Sequence, residues 1–99
     1  MRRLSMEELK EIITTFRAKR NWESYDTESS LAKSIVIEAA ELLEHFQWEE
    51  NEFNKKAVCD ELADVLIYSL SMCYHMNVDP KAIIEEKLID VARRYPEKK

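Results

Sequence analysis

With 99 residues, the chain is long enough for one compact domain but would bury only a modest core by itself. Its 20 aspartates and glutamates outnumber its 15 lysines and arginines, which excludes the broad basic surface that binding to a nucleic acid polymer usually needs. The chain has no glycine, which excludes the P-loop and the dinucleotide-binding turn, and we expect one all-α domain over residues 1–99.

A first amphipathic helix is predicted over Met6–Lys19. Its apolar residues recur at helical spacing: Leu9, Ile12, Ile13 and Phe16. The polar residues 20–30 then interrupt that period. Three residues could cap a second helix: Thr27, Ser29 and Ser30. This second helix is predicted to run to about Trp48.

A polar connector over residues 49–54 leads to the third predicted helix, which continues to about Met76. Asp79 is a suitable N-cap for a fourth helix, because the proline that follows it fits the first helical position. The fourth helix is therefore predicted from Pro80 to about Arg94.

The second and third helices are unusually apolar. Residues 62–76 include one acid and no lysine or arginine, so apolar groups lie on every side and the third helix is predicted to be central. The second helix is similar over residues 35–46. A thin monomeric bundle could not cover this much apolar surface, which predicts a homodimer or homotetramer.

The cysteines and the hydropathy pattern indicate the compartment. Cys59 and Cys73 fall in predicted helices without a CxxC spacing, which is typical of reduced thiols. The stretch MRRLSMEELKEII is too charged for the apolar part of a signal peptide, and no run approaches transmembrane length. We therefore expect a cytoplasmic protein that does not associate with membranes.

Two pairs of acids interrupt the apolar stretches. Glu38 and Glu41 are three residues apart on the second helix, and Glu61 and Asp64 repeat that spacing on the third. Residues three apart lie on neighbouring turns, so each pair can converge on one ion. If the two helices pack antiparallel, the pairs can face each other. Oxygen ligands favour Mg²⁺, or Mn²⁺ as a substitute, and magnesium commonly contacts substrate phosphates.

Simpler interpretations compete with a metal site. An ExxE spacing is often just a solvated helix face, although two occurrences in apolar surroundings favour the site. Glu44 could be an outer ligand or a surface acid, and Asp60 fits a first-turn acid favoured by the helix dipole. His45 and His75 lack metal-ligand spacing and are interpreted as structural, which disfavours a di-iron oxidase-like bundle.

Three segments carry a resemblance to a known family: VIEAAELLEHFQW, DELADVLIYSL and EKLIDVARRYP. Together they resemble the all-α nucleoside triphosphate pyrophosphohydrolases of the MazG-like superfamily, and most of all its dCTP pyrophosphatase branch. The resemblance implies a four-helix protomer in a dimer or dimer of dimers. It also implies cleavage between the α and β phosphates, with Glu38, Glu41, Glu61 and Asp64 as Mg²⁺ ligands and Glu41 or Glu38 as the catalytic base acting through water.

The resemblance further implies a set of substrate-binding residues. Trp22 and Trp48 match aromatics around the nucleobase, and Tyr68 would lie near the sugar. Phosphates would be contacted by a C-terminal group: Lys87, Arg94 and Tyr95. The alternatives are core or interface packing for the aromatic residues and solvated helix-end cations for the basic ones.

Three positions depart from the family pattern. Val91 replaces a common asparagine, and Ile13 and Asp26 stand where the animal dCTP enzymes tend to have histidines. A cytosine preference therefore does not transfer with the resemblance. We expect a Mg²⁺-dependent pyrophosphohydrolase that acts on dCTP or a related or modified deoxynucleoside triphosphate and cleanses or balances the nucleotide pool. The alternative is a non-catalytic helical module for oligomerisation or partner binding.

Overall fold

A computed structural model describes residues 3–98, and this part of the chain contains helices and turns but no strand. Its four α-helices are α1 (Met6–Lys19), α2 (Glu28–Glu44), α3 (Lys55–His75) and α4 (Pro80–Arg94). A short 3₁₀ helix, Glu23–Tyr25, lies between α1 and α2. The predicted all-α class and the number of helices are confirmed.

Side-chain caps explain where the helices begin. Ser5 and Glu8 form a reciprocal capping box at the start of α1, with bonds of 3.0 and 3.1 Å. Thr27 caps α2 by accepting from the amide of Ser30 at 2.9 Å, which selects among the three predicted caps. Asp79 caps α4 ahead of its first-turn proline, and the predicted bounds of α1 and α4 are confirmed.

The end of α2 differs from the prediction. The helix stops at Glu44 rather than near Trp48, because the next three amides bond to carbonyls only three residues back, at 2.9 to 3.3 Å. These tighter turns bring the ring of Phe46 against that of Phe53, with centroids 5.0 Å apart. The connector therefore folds on itself instead of extending α2.

Two asparagines take the left-handed conformation that glycine usually provides at helix ends. Asn21 follows α1 with φ 56°, and Asn77 follows α3 with φ 59°. After α1, the amide of Trp22 donates to the carbonyl of Arg17 at 3.1 Å, and Val78 makes the matching bond after α3 at 2.8 Å. Both ends are Schellman motifs, which fix the direction of the chain as it leaves the helix.

Helix α3 organises the packing, as its apolar sequence predicts. It packs along α2 over an extensive contact and against α1 over a shorter one. The most buried apolar side chains among the described residues are Ile13 and Leu31, at 8% and 1% exposure. Helix α4 is buried at Pro80 but makes only slight contact with the other described helices beyond it.

A large apolar surface stays exposed on the single chain. It includes residues of α2 (Val36, Ile37, Leu43), of α3 (Leu62, Leu66, Ile67) and of α4 (Ile83, Ile84, Leu88, Ile89). Helix α3 is therefore central without being enclosed. Across residues 3–98, none of the helices has the length and apolar character needed to cross a membrane.

Candidate metal centre

Acidic side chains from α2 and α3 converge on one point. Glu38, Glu61 and Asp64 each offer a carboxylate oxygen, and these oxygens lie within 4.8 Å of one another. Glu41 joins the group through side-chain contacts with Glu38 and Glu61. The connector between α2 and α3 spans residues 45–54, and Glu38 and Glu61 lie equally far from its two ends. Two such positions can face each other only if the chain reverses direction at the connector, so α2 and α3 run antiparallel.

The surroundings of two of these acids, Glu61 and Glu38, raise their pKa. A hydrogen bond shared with Glu41, together with desolvation and the neighbouring negative charges, raises the pKa of Glu61 to about 7. The pKa of Glu38 is also raised, by desolvation first and then by the charges of Glu41 and Asp64. No lysine or arginine in residues 3–98 forms an ion pair with any of the four.

One oxygen of this group has no protein partner. Oε1 of Glu61 is buried and receives no hydrogen bond from any described residue. A buried carboxylate oxygen without a donor is unfavourable unless a cation or a proton neutralises it. The convergent oxygens and this unpaired atom fit a hard divalent cation that retains open positions for water and substrate.

A groove next to the acids includes an aromatic residue. Asp64 and Trp22 both line this cavity of about 470 Å³. Tyr68, one turn after Asp64 on α3, lies along the same cavity. The remaining lining residues are mainly apolar: Ile12, Ile13, Phe16, Arg17 and Ile67. A mainly apolar cavity with an indole ring and a carboxylate in its lining suits a ligand that has a flat ring and can bind a cation.

The remaining predicted site residues do not line the groove. Trp48 is 88% exposed in the connector after α2. Lys87 and Arg94 pair with Asp90 of their own helix, at 3.7 and 3.3 Å, and Tyr95 follows at the exposed end of α4. Of the predicted site residues within 3–98, the groove is therefore lined by Trp22, Tyr68 and Asp64, and Asp64 also belongs to the group of acids.

The structure also locates the two histidines and the two other acids considered in the sequence. His45 forms the C-cap of α2, and His75 approaches Glu28 with 3.7 Å between Nε2 and Oε2. Glu44 is exposed at the last position of α2. Asp60 lies beyond the first turn of α3, so its interpretation as a first-turn acid is wrong, and it pairs instead with Lys56 one turn earlier, at 3.3 Å.

Sequence reasoning missed Arg17. Its guanidinium is buried beside the groove, and Nη2 donates to both carboxylate oxygens of Asp26, at 2.7 and 2.8 Å. The available signal was its position four residues after Ile13, which places a charge on the apolar side of α1. Asp26 was noted only as a departure from the family pattern.

Comparisons with known proteins show a family likeness. Residues 33–99 match the family model described as the MazG-like family. The chain is 30% identical to dCTP pyrophosphatase 1 of Bos taurus and 31% identical to that of Mus musculus, over 93% of its length. It spans about three-fifths of the length of these curated relatives, 60% and 59%.

A solved structure is similar over almost the whole chain. It is the crystal structure of a pyrophosphatase from Archaeoglobus fulgidus, and it is 39% identical in sequence with a TM-score of 0.88. The match covers 98% of this chain and 97% of the other. The described fold is therefore that of a known pyrophosphatase.

Proposed function

The chain belongs to the MazG-like family, and on that premise we propose that it is a nucleotide pyrophosphohydrolase. The enzyme would cleave a nucleoside triphosphate between the α and β phosphates, giving a monophosphate and pyrophosphate. The observation that carries this proposal is the convergence of three carboxylates from α2 and α3: Glu38, Glu61 and Asp64. Among the described residues Glu61 Oε1 has no hydrogen-bond partner, and Asp64 also lines the groove that contains Trp22.

The proposed cofactor is Mg²⁺, with Mn²⁺ as a substitute. Glu38, Glu61 and Asp64 would hold it, since their oxygens already lie within 4.8 Å of one another. The bound cation would neutralise phosphate oxygens and lower the pKa of a bound water. The acidic cluster would otherwise repel a triphosphate, so the substrate binds as its metal complex.

Glu41 is the best candidate for the catalytic base among the four acids. It contacts Glu38 and Glu61 but is not part of the tightest set of oxygens, and it is exposed at the edge of the site. A carboxylate there can accept a proton from the attacking water while the other three bind the cation. Glu38 is the alternative base if Glu41 proves to be a ligand.

The proposed substrate is dCTP or a related or modified deoxynucleoside triphosphate, and the proposed role is cleansing or balancing of the nucleotide pool. The curated relatives are named dCTP pyrophosphatases, which supports this substrate class. Trp22 offers a flat surface for a base, and Tyr68, which lines the same cavity as Trp22 and Asp64, would contact the sugar. Asp26 keeps the preferred base open, since the animal enzymes tend to have histidine there.

We also propose a cytoplasmic homodimer or homotetramer. The exposed apolar residues of α2, α3 and α4 need cover, and a second copy of the chain would supply it. Lys87, Arg94 and Tyr95 do not line the groove of their own chain. If they contact phosphates, they would do so at the site of a second copy.

A substrate panel tests the enzyme proposal. Pyrophosphate release is measured from the common and modified deoxynucleoside triphosphates, with Mg²⁺ and with Mg²⁺ plus a chelator. We expect Mg²⁺-dependent release, and Glu41→Gln should abolish it without loss of helicity by circular dichroism. The alternative is a non-catalytic oligomerisation module, which the exposed apolar faces favour. If no substrate is turned over and no metal binds, that alternative would be supported.

A further inference from the structure

A buried ion pair lies beside the groove and has no part in the proposed chemistry. Arg17 is 8% exposed, and its Nη2 donates to both oxygens of Asp26. Arg17 comes from the last turn of α1, whereas Asp26 ends the short 3₁₀ helix before α2. The pair therefore clamps the segment 20–27 against the body of the protein.

The same arginine lies between two aromatic rings. Its guanidinium carbon is 5.8 Å from the centroid of the Trp22 ring and 5.7 Å from that of Tyr68. Both distances fall within the range of cation–π attraction. Because Trp22 is on the clamped segment and Tyr68 is on α3, Arg17 connects the two sides of the groove.

The backbone reinforces this connection. The carbonyl of Arg17 accepts the amide of Trp22 at 3.1 Å, so side chain and main chain of one residue hold the same tryptophan. The ring of Phe16 supports Trp22 edge-on, with centroids 6.0 Å apart. Even so, Trp22 is 47% exposed, which leaves one part of the ring accessible to a ligand.

We propose that Arg17 is a positioning residue that, anchored by Asp26, holds the indole of Trp22 at the groove so that it can stack on the nucleobase. The inference rests on the proposed function, because it assigns the base end of the same site. An ordered ring binds a base more tightly than a mobile one, since the cost of fixing it has already been met during folding. The contribution lies in substrate binding, whereas the reaction occurs at the acids.

The test must avoid leaving one buried charge alone. Removing only Arg17 would strand the Asp26 carboxylate and could unfold the protein. The double variant Arg17→Gln/Asp26→Asn removes both charges while keeping groups that can hydrogen-bond to each other. Arg17→Lys keeps the charge but loses the planar group that lies between the rings. Lys19→Gln is the matched control, because it removes an exposed positive charge from the same helical turn.

Tryptophan fluorescence reports the position of Trp22 without any nucleotide. Trp48→Phe is combined with each variant, so that Trp22 becomes the only tryptophan. The double variant should show faster acrylamide quenching and lower anisotropy than its parent, Arg17→Lys should lie between them, and Lys19→Gln should match the parent. Equal quenching and anisotropy in the parent and the double variant would overturn the proposal.

Steady-state kinetics, measured with Trp48 in place, test the consequence for substrate. The double variant should raise KM about tenfold with kcat unchanged, as expected when part of a base-stacking contact is lost. An unchanged KM, or a fall in kcat with KM constant, would contradict positioning. If the wild-type chain hydrolyses no nucleotide, the proposed function fails, and the fluorescence comparison still decides whether Arg17 positions Trp22.

Discussion

The affinity of the metal centre should depend on pH through Glu61. Its pKa is raised to about 7, and the cation needs the deprotonated carboxylate. About one protein molecule in eleven would have Glu61 deprotonated at pH 6 and about ten in eleven at pH 8, so the apparent affinity should rise roughly tenfold over that interval. The affinity should level off above pH 8.

The stability of the metal-free protein should change in the opposite direction. An unfolded Glu61 releases its proton near 4.5, whereas the folded protein retains it until about 7. The contribution of Glu61 to the free energy of unfolding is therefore fully present below pH 4.5 and is lost as the pH rises to about 7. Saturating Mg²⁺ should offset this loss, so the rise in melting temperature on adding metal should be larger at pH 8 than at pH 6.

Titration of Mn²⁺ followed by electron paramagnetic resonance measures this affinity directly, with Mg²⁺ as competitor. Glu61→Gln removes the titrating group, so it should bind more weakly and show a flatter pH profile. Glu85→Gln, an exposed residue of α4, is the control and should keep the wild-type profile. Equal affinity at pH 6 and pH 8, or the same profile in Glu61→Gln, would refute the reasoning.

Three further changes test the fold and the assembly. Thr27→Ala removes the side-chain cap of α2 and should lower the free energy of unfolding by about 1 kcal/mol in urea titrations; an unchanged value would show that the cap is dispensable. Asn77→Ala should cost roughly 1 to 2 kcal/mol because φ is 59°, whereas Asn77→Gly should be tolerated; equal stability of the two variants would contradict the helix-end assignment. Leu88→Glu should reduce the mass measured by light scattering to that of one chain, with helicity retained, and an undiminished oligomer would place the interface elsewhere.

Capping residues and prolines predicted helix ends correctly, because these residues themselves restrict the backbone. Asp79 followed by Pro80 gave the start of α4, and the acidic pairs could be placed on facing turns because helical spacing and a short connector limit the geometry. The end of α2 could not be found in this way. Residues 45–48 continue an apolar pattern, and the contact between Phe46 and Phe53 redirects the chain.

The candidate site also contains residues that the sequence could predict and residues that it could not. Four acids and Trp22 follow from spacing and resemblance, but the pairing of Arg17 with Asp26 depends on a turn between them that no helical period describes. Trp48 and the cations of α4 do not line the groove, so their proposed roles depend on the proposed assembly. The apolar pattern predicts that copies associate, but it does not give the orientation in which they would pack.

The central proposal is that the four acids of α2 and α3 bind a cation and that the protein thereby hydrolyses a nucleotide. It is tested most directly by ³¹P nuclear magnetic resonance of dCTP incubated with the protein. With Mg²⁺, the triphosphate signals should give way to those of a monophosphate and pyrophosphate, and an excess of chelator should prevent the change. Release of orthophosphate, or the same hydrolysis with chelator present, would contradict the proposal.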